Sequence, residues 1–419
     1  MKKVLYVGIF NGQNIGDLVI SDQIYKFLRS ENLSVTLIDF ITLNRVETPT
    51  TEIQFLKSEP THEKVKKFLS NSHLTSSLFI RNDEFISNVY SMYKENAMYC
   101  LSSIYCREYI KGLETCDFVC IGGGNLLMTL NTNYWAVKVN RLVKLARKKK
   151  KKVFIISVGA GPISSKKAQK LFSDALNMAD YITVRDENSK ILLEDTLNVK
   201  QHIAVSGDPA LLLNNVRVEF KNKEQKNIAI SVIPFGKKSF SNLKWYKESS
   251  YYIEMYEKLI VYLYDKNPNF VFYLFSSAYT DYEVILQLEN HIKERNKKIT
   301  EENLKVIHIK SLGDLLEFYQ KQDLVIGTRM HSLIIAFTQY MPIIAISWQD
   351  KVSGFMSYIG MSQYCYNLNN VNAEIDKIYK DSEKLINGNQ KNQEKLLSLR
   401  ENYTRITSSI LHSLKQERQ

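Results

Sequence analysis

The sequence contains little of several features that mark particular protein classes. It has 5 cysteines and 7 prolines among 419 residues. A small, odd number of cysteines in so long a chain argues against a disulfide framework. Glycine and proline together are too rare for a collagen-like or low-complexity chain. No apolar run approaches the ~18–20 residues that a membrane-spanning helix needs.

A secretory leader is also missing by its usual criteria. The apolar stretch in MKKVLYVGIF is short and continues into NGQNIGD without a small-residue cleavage site. Together with the cysteine usage, this predicts a cytoplasmic protein. At ~150 residues per domain, the length predicts two or three domains.

The chain is basic, with 56 Lys and Arg against 44 Asp and Glu, a formal charge of +12. Such a surface suits nucleic acid, an anionic membrane or anionic substrates, and net charge does not choose among them. The densest block, RKKKKK at 147–152, fits a solvated helix end or attraction to the inner membrane surface. Because no RNA-recognition signature, zinc finger or basic zipper occurs, we expect no nucleic-acid partner.

Strands and helices alternate along most of the chain. This order predicts an α/β protein with two doubly wound, Rossmann-like domains facing a central cleft. We expect a first domain over 1–220, with an irregular excursion at about 41–113, and a second over 221–375. The segment PIIAISW is expected to be the last strand. Residues 376–419 are expected to form a polar helical tail without a core-like apolar face.

Glycines follow several predicted strands at the points where open α/β sheets bind ligands. A glycine lets the backbone approach a ligand, and a following helix N-terminus offers amides to an anion. Tight turns are the alternative, with Asp17 as a helix N-cap in the first of them. The positions are Gly12 and Gly16 with Asn14 and Asp17, Gly122, Gly123 and Gly124 with Asn125, and Gly159 with Gly161.

The segment GTRMHS, directly after DLVI, carries the strongest signal. Arg329 offers a planar fork for phosphate or carboxylate, and His331 can move a proton near neutral pH. The alternative is structural, with His331 capping the next helix and Arg329 paired with a carboxylate such as Asp350.

Other charged residues follow strands less distinctively. TVRD contains Arg185, and VSGDP contains Asp208, but both segments also fit ordinary turn chemistry. Lys351 follows the last predicted strand and can reach an anion. The histidines are scattered and no GxSxG elbow occurs, so we expect no metal and no hydrolase triad.

The order of these motifs resembles the polysaccharide pyruvyl transferase family. The resemblance runs from Val4 to about Met356 and rests on the segments NGQNIGD, IGGGNLL, SVGAGPI, TVRDENS, SGDPALLL, GTRMHSLIIAF and PIIAISWQDKVSGFM. It implies a GT-B-like fold, phosphoenolpyruvate as donor substrate without a further cofactor, and a sugar of a bacterial surface polysaccharide as acceptor. The implied product is a pyruvate ketal bridging two sugar hydroxyls.

The resemblance also suggests roles for individual residues. Arg329 would bind the donor, and His331 would be the general acid or a phosphate partner. Asp17 would orient or deprotonate an acceptor hydroxyl. Further donor contacts would come from Ser332, Arg185 and Lys351.

Two other functions remain open. A nucleotide-sugar glycosyltransferase of surface glycan synthesis would share the architecture, and so would a non-catalytic member of that machinery. The acceptor, whether a free or a lipid-linked glycan, the membrane contact and the oligomeric state are also open.

Overall fold

The computed structural model describes residues 1–53, 106–129, 132–216, 224–234, 249–388 and 392–416. Most of the predicted excursion and the proposed boundary at 220/221 lie outside these ranges. So does most of the loop at 234–247, where, together with the excursion, the sequence predicts acceptor contacts.

The first domain is built on a seven-stranded sheet. Its order is β3-β2-β1-β4-β6-β8-β9, and all neighbours are parallel except β2 and β3. The central strands are buried apolar runs, as expected for a sheet covered on both faces. The strands are β1 (Lys3–Gly8), β2 (Ser34–Asp39), β3 (Arg45–Val46), β4 (Phe118–Gly122), β6 (Lys152–Val158), β8 (Tyr181–Val184) and β9 (Ile203–Val205).

Helices cover both faces of this sheet, and a small parallel pair lies beside it. The pair is β5 (Leu127–Thr129) with β7 (Ala160–Ile163). The helices are α1 (Ile15–Ser30), α2 (Arg107–Thr115), α3 (Tyr134–Lys148), α4 (Lys166–Met178) and α5 (Glu187–Ile191), which continues as a π-helical turn over Leu192–Thr196.

The second domain has a six-stranded, wholly parallel sheet of order β12-β11-β10-β13-β14-β15. Its strands are β10 (Lys226–Ser231), β11 (Phe270–Phe275), β12 (Leu304–Val306), β13 (Leu324–Gly327), β14 (Ile343–Ser347) and β15 (Cys365–Asn367). Its helices are α6 (Ser249–Lys266), α7 (Tyr282–Arg295), α8 (Leu312–Tyr319), α9 (Met330–Thr338), α10 (Asp350–Tyr358) and α11 (Ile375–Asn387). PIIAISW is therefore not the last strand, because β15 follows and pairs with β14.

The two sheets reverse their strand order at places that face each other. In the first domain the reversal lies between β1 and β4, and in the second between β10 and β13. Crevices outside the carboxyl ends of strands at such points are where open α/β sheets bind ligands. The topology therefore places the cleft at Gly122 on one side and Gly327 on the other.

Backbone hydrogen bonds join the domains beside this cleft. The amide of Ile15 donates to the carbonyl of Ser277 at 2.8 Å, and that of Tyr279 donates to Gln13 at 2.9 Å. The first turn of α1 is thus fixed to the loop after β11.

The C-terminal helix α12 (Asn392–Gln416) also links the domains. The prediction that the tail lacks an apolar face is wrong, because Leu396, Tyr403 and Leu411 are buried. The Tyr403 ring packs edge-on against Phe27 of α1, and its hydroxyl accepts a hydrogen bond from Ser157 Oγ at 3.2 Å. Spacings of seven and eight residues place these three side chains on one face of the helix. The polar composition of the segment conceals this apolar face.

The basic block at 147–152 spans the end of α3 and the start of β6. Arg147 and Lys152 both pair with Asp180, and Lys149 pairs with Glu114. Attraction of this block to a membrane surface stays a prediction. Among the described residues, no helix is both long and apolar enough to cross a bilayer.

Candidate active site

A cavity of about 200 Å³ lies between the two facing reversals of strand order. The first domain contributes apolar side chains, including Ile9, Met128 and Trp135, and the second contributes the segment from Arg329 to His331. Arg185, Lys351 and Asp17 complete the charged part of its wall. The fold thus brings together seven side chains that the sequence singles out in five distant motifs, because Asn14 and Asn125 also line the cavity.

Arg329 stands directly before α9 and is held by a buried carboxylate. Its Nε donates to Asp281 Oδ2 at 2.8 Å, and its Nη2 donates to Asp281 Oδ1. Asp281 is fully buried and also accepts a hydrogen bond from Ser276. The pairing uses the edge of the guanidinium that carries Nε and Nη2, and Nη1, on the outer edge, takes no part in it. The carboxylate partner is therefore Asp281, and not Asp350.

His331 lies in the first turn of α9 and reaches across the cleft to the other domain. A Cβ at Gly16 would lie 2.3 Å from its Cγ and Nδ1, so only glycine fits there. On the other side, Nε2 is 3.6 Å from Asp208 Oδ2, longer than a hydrogen bond. Neither atom has a hydrogen-bond partner in the described part of the chain. The ring is therefore positioned by packing and does not cap the helix.

Asp208 is placed to hold a negative charge beside this histidine. Burial alone raises the pKa of its carboxyl, but His331 and Arg185 lower it more, so the pKa lies below its ordinary value. Its Oδ1 also accepts from the amide of Ala210 at 2.9 Å. Asp208 therefore stabilises the turn that the sequence predicts at VSGDP, and it also lies beside His331 of the site.

Arg185 is buried at the end of β8, where three cavities share it as a lining residue. Its Nε donates to Asp186 Oδ2 at 3.0 Å, and Nη1 lies 4.0 Å from Asp208 Oδ2. A Cβ at Gly159 would come within 2.5 Å of the guanidinium carbon. Gly159 therefore makes room for this side chain and not for a ligand.

Lys351 lies in the first turn of α10. Arg185 and Arg329 each have a carboxylate as ion-pair partner, whereas Lys351 has none among the described residues. Burial lowers its pKa to about 7, and the neighbouring Arg185 and Arg329 add to this effect, while Asp17 opposes it. Its Nζ lies 5.3 Å from the centre of the Trp348 ring. An anion entering the cavity would favour the protonated form.

Asp17 lies on the opposite wall, in the first turn of α1. The helix begins at Ile15 with Asn14 as N-cap, whose Oδ1 accepts from the Gly16 amide at 3.0 Å. Asp17 is therefore not the cap, and its Oδ2 accepts from Asn14 Nδ2 at 3.1 Å. Asn125 also lines the cavity and donates to the carbonyl of Gly161 at 3.0 Å.

Several predicted ligand contacts serve packing instead. A Cβ at Gly122 would lie 2.1 Å from the Ile156 carbonyl oxygen, and one at Gly123 would meet Ile20 and Ile24. A Cβ added at Gly12 would have no atom closer than 3.6 Å, so no close contact in the structure requires a glycine there. The expected donor contact Ser332 is fully buried and bonds to the Ser231 and Ser277 hydroxyls.

No sequence pattern marked Asp281 or the cavity-lining Trp135 and Ser277. Asp281 lies 48 positions before its arginine, and no motif marks it.

The arrangement suits a small ligand with two anionic groups and an apolar part. Three cations, two of them already oriented by carboxylates, surround a cavity that also has an apolar wall. Lys351, whose pKa is lowered to about 7, and the imidazole of His331 both line the cavity and can take part in proton transfer. Among the residues described, no three His, Cys, Asp or Glu side chains form a metal-ligand cluster.

The fold defined here is GT-B-like, and comparison with solved structures shows the same architecture at low identity. Trehalose-6-phosphate synthase OtsA is similar at TM-score 0.58 and 10% identity over 100% of both chains. A glycosyltransferase from Rickettsia africae is similar at TM-score 0.52 and 11% identity, over 100% of this chain and 99% of the other. UDP-GlcNAc 2-epimerase from Methanocaldococcus jannaschii is similar at TM-score 0.51 and 13% identity, over 98% of this chain and 100% of the other.

The family is shown by sequence. A family model for polysaccharide pyruvyl transferases matches residues 14–350. The chain belongs to this family, and so to a class of transferases. A comparison with curated proteins gave no match.

Proposed function

We propose that the protein transfers the enolpyruvyl group of phosphoenolpyruvate to two hydroxyls of one sugar in a bacterial surface polysaccharide or its precursor. The product is a pyruvate ketal, and inorganic phosphate is released. The observation that supports this proposal best is the convergence of Arg185, Arg329 and Lys351 on one cavity with an apolar wall.

The donor carries a phosphate, a carboxylate and an apolar methylene group. The outer edge of the Arg329 guanidinium and the ammonium of Lys351 provide donors for the two anionic groups. Ile9, Met128 and Trp135 provide apolar surface for the methylene carbon. Family membership provides the acceptor class, a polysaccharide.

Chemistry starts with a proton placed on the methylene carbon by Lys351 or His331. The first sugar hydroxyl attacks the resulting cationic carbon, and its proton returns to the general acid. The bond from that carbon to the phosphate oxygen then breaks, phosphate leaves, and the second hydroxyl closes the ketal. The proton of the second hydroxyl leaves with the phosphate. Asp17 would orient an acceptor hydroxyl by accepting a hydrogen bond from it.

The first test is ligand-induced thermal stabilisation of the purified protein. A ligand that binds only the folded state raises the melting temperature by mass action. We expect a rise with phosphoenolpyruvate that is lost in Arg329→Ala and retained in Lys190→Ala, a control outside the cavity. A rise with nucleoside diphosphates or sugar nucleotides alone would instead favour a glycosyltransferase.

The second test is turnover. Phosphate release from phosphoenolpyruvate in the presence of surface-glycan acceptors should fall by ~10²-fold or more in His331→Ala, the typical contribution of a general acid or base. Circular dichroism would verify folding. A folded His331→Ala variant with full turnover would exclude His331 from catalysis.

A further inference from the structure

A second cavity, of about 340 Å³, adjoins the first. Arg185 and Lys351 line both cavities, so they form the shared wall. Any group bound in the second cavity next to this wall therefore lies beside a donor bound in the first.

The lining of this larger cavity differs in chemistry from that of the smaller one. Beyond the shared cations, its side chains are apolar or carry amides, carboxylates or, at Ser189, a hydroxyl. Its further members include Trp348, Pro162, Leu192, Asn188, Gln349 and Asp350. Such a surface disfavours a second anion and suits a neutral ligand with an apolar face and a rim of hydroxyls.

Trp348 is fixed in place by its own hydrogen bond. Its indole Nε1 donates to the Thr328 carbonyl at 3.1 Å, which holds the ring at the cavity wall. A rigid aromatic ring with a satisfied polar atom provides a stacking surface at low conformational cost. Pyranose rings present C–H groups that pack on such surfaces.

Both domains contribute to the lining. Asn188, on α5 of the first domain, approaches α10 of the second, where its Nδ2 lies 3.2 Å from an added Cβ at Gly354. Asp350, in the first turn of α10, has no ion pair among the described residues. Amide and carboxylate groups can therefore reach hydroxyls from both sides.

The cavity, at about 340 Å³, is also large enough to hold a hexose. A hexose has roughly the volume of six water molecules at ~30 Å³ each, about 180 Å³. A third cavity of about 320 Å³ also borders Trp348, but neither Arg185 nor Lys351 lines it. A sugar bound there would be separated from the donor cavity.

We propose that the 340 Å³ cavity is the acceptor subsite, which binds a neutral pyranose between Trp348 and Leu192 with its two reacting hydroxyls directed at the shared wall. This rests on the proposed pyruvyl transfer.

The test is ligand-observed saturation-transfer NMR with the full chain. The probes are methyl glycosides of glucose, galactose, mannose and their N-acetylated 2-amino forms, with and without phosphoenolpyruvate. We expect binding of at least one glycoside to wild type, at least tenfold weaker in Asn188→Ala. Leu192→Trp, which fills the cavity, should abolish binding. Two controls should bind as wild type: Lys190→Ala, on the same helix as Asn188, and Ser353→Ala, which lines the third cavity.

Three outcomes would overturn the subsite: no glycoside binds to wild type, binding persists in both Leu192→Trp and Asn188→Ala, or binding is lost in Ser353→Ala. Thermal stabilisation by phosphoenolpyruvate is measured on the same variants and should persist in all of them. If it persists while glycoside binding fails, the subsite is wrong and the donor assignment stands. If phosphoenolpyruvate has no effect on wild type while glycosides bind as expected, the donor is wrong and the subsite stands.

Discussion

The imidazole of His331 packs against the backbone of Gly16, so the first turns of two helices from different domains meet where no larger residue fits. A Cβ at position 16 would lie 2.3 Å from Cγ and Nδ1 of the ring. A real methyl group cannot approach so closely, and either the ring or the domain interface must move. Gly16 therefore acts by accommodating a site residue, a role that its own motif does not reveal.

Replacing Gly16 by alanine should displace His331 and lower turnover by ~10²-fold, since a misplacement of about 1 Å can cost that much. Phosphate release measures the effect. Gly12→Ala is the matched control in the same loop, because an added Cβ there meets nothing closer than 3.6 Å. Equal loss in both variants would show that the loop is generally sensitive and would contradict the specific contact.

Donor binding should weaken as the pH rises above about 7. Lys351 has its pKa lowered to about 7 by burial and by Arg185 and Arg329, so its charge is lost in this range. Calorimetric titration with phosphoenolpyruvate from pH 6 to 9 measures the change. Lys351→Arg keeps its charge and should shift the decline above pH 9, while titration of the donor phosphate is common to both proteins. Identical profiles would exclude Lys351 as the titrating group.

The lowered pKa of Lys351 also predicts how the free energy of unfolding of the ligand-free protein changes with pH. Between about pH 7 and the ordinary lysine pKa of ~10.4, the unfolded chain binds a proton that the folded protein lacks. This group therefore makes stability rise with pH across that window, and its full destabilising effect is present below pH 7. The melting temperature of Lys351→Met should be higher than that of wild type, with the largest difference at pH 6 and the smallest at pH 9. A constant difference would contradict the lowered pKa.

Asp281→Asn should lower both stability and donor affinity. The buried Asp281 carboxylate holds two guanidinium nitrogens of Arg329, whose side chain is 27% exposed. Removing it should cost on the order of 2 kcal/mol, less than the ~3–5 kcal/mol of a fully buried pair. Urea unfolding and phosphoenolpyruvate titration measure the two effects. Tighter donor binding in the variant would show that the aspartate acts through its negative charge and not by orienting Arg329.

Ser332→Ala should affect stability and leave donor binding intact. Its hydroxyl is buried between those of Ser231 and Ser277, both in the second domain. Losing these hydrogen bonds should cost about 1 kcal/mol. Stabilisation by phosphoenolpyruvate should match that of wild type, in contrast to Arg329→Ala. Its loss in a folded variant would restore Ser332 to the donor site.

Much of the fold could be predicted from periodicity. The apolar spacing predicts one helix near Tyr282–Arg295 and another over about Tyr134–Lys149, because it indicates which face is buried. The structure has these helices at Tyr282–Arg295 and Tyr134–Lys148. Helix starts were less predictable. Both α1 and α9 begin about three residues earlier than the apolar pattern indicates, which places Asp17 and His331 in first turns. The strand β15 was missed because three residues carry too little pattern.

By itself, the sequence determined the α/β class, the two-sheet architecture and the motifs from which Arg185, Arg329, His331 and Lys351 come. Local patterns suffice for this, because strand ends in such sheets converge on one edge. Only the tertiary structure decided what each residue meets: Asp281 for Arg329, Gly16 for His331, and no carboxylate ion pair among the described residues for Lys351. These partners lie up to hundreds of positions apart, and their pairing depends on how two domains meet, which no local spacing encodes.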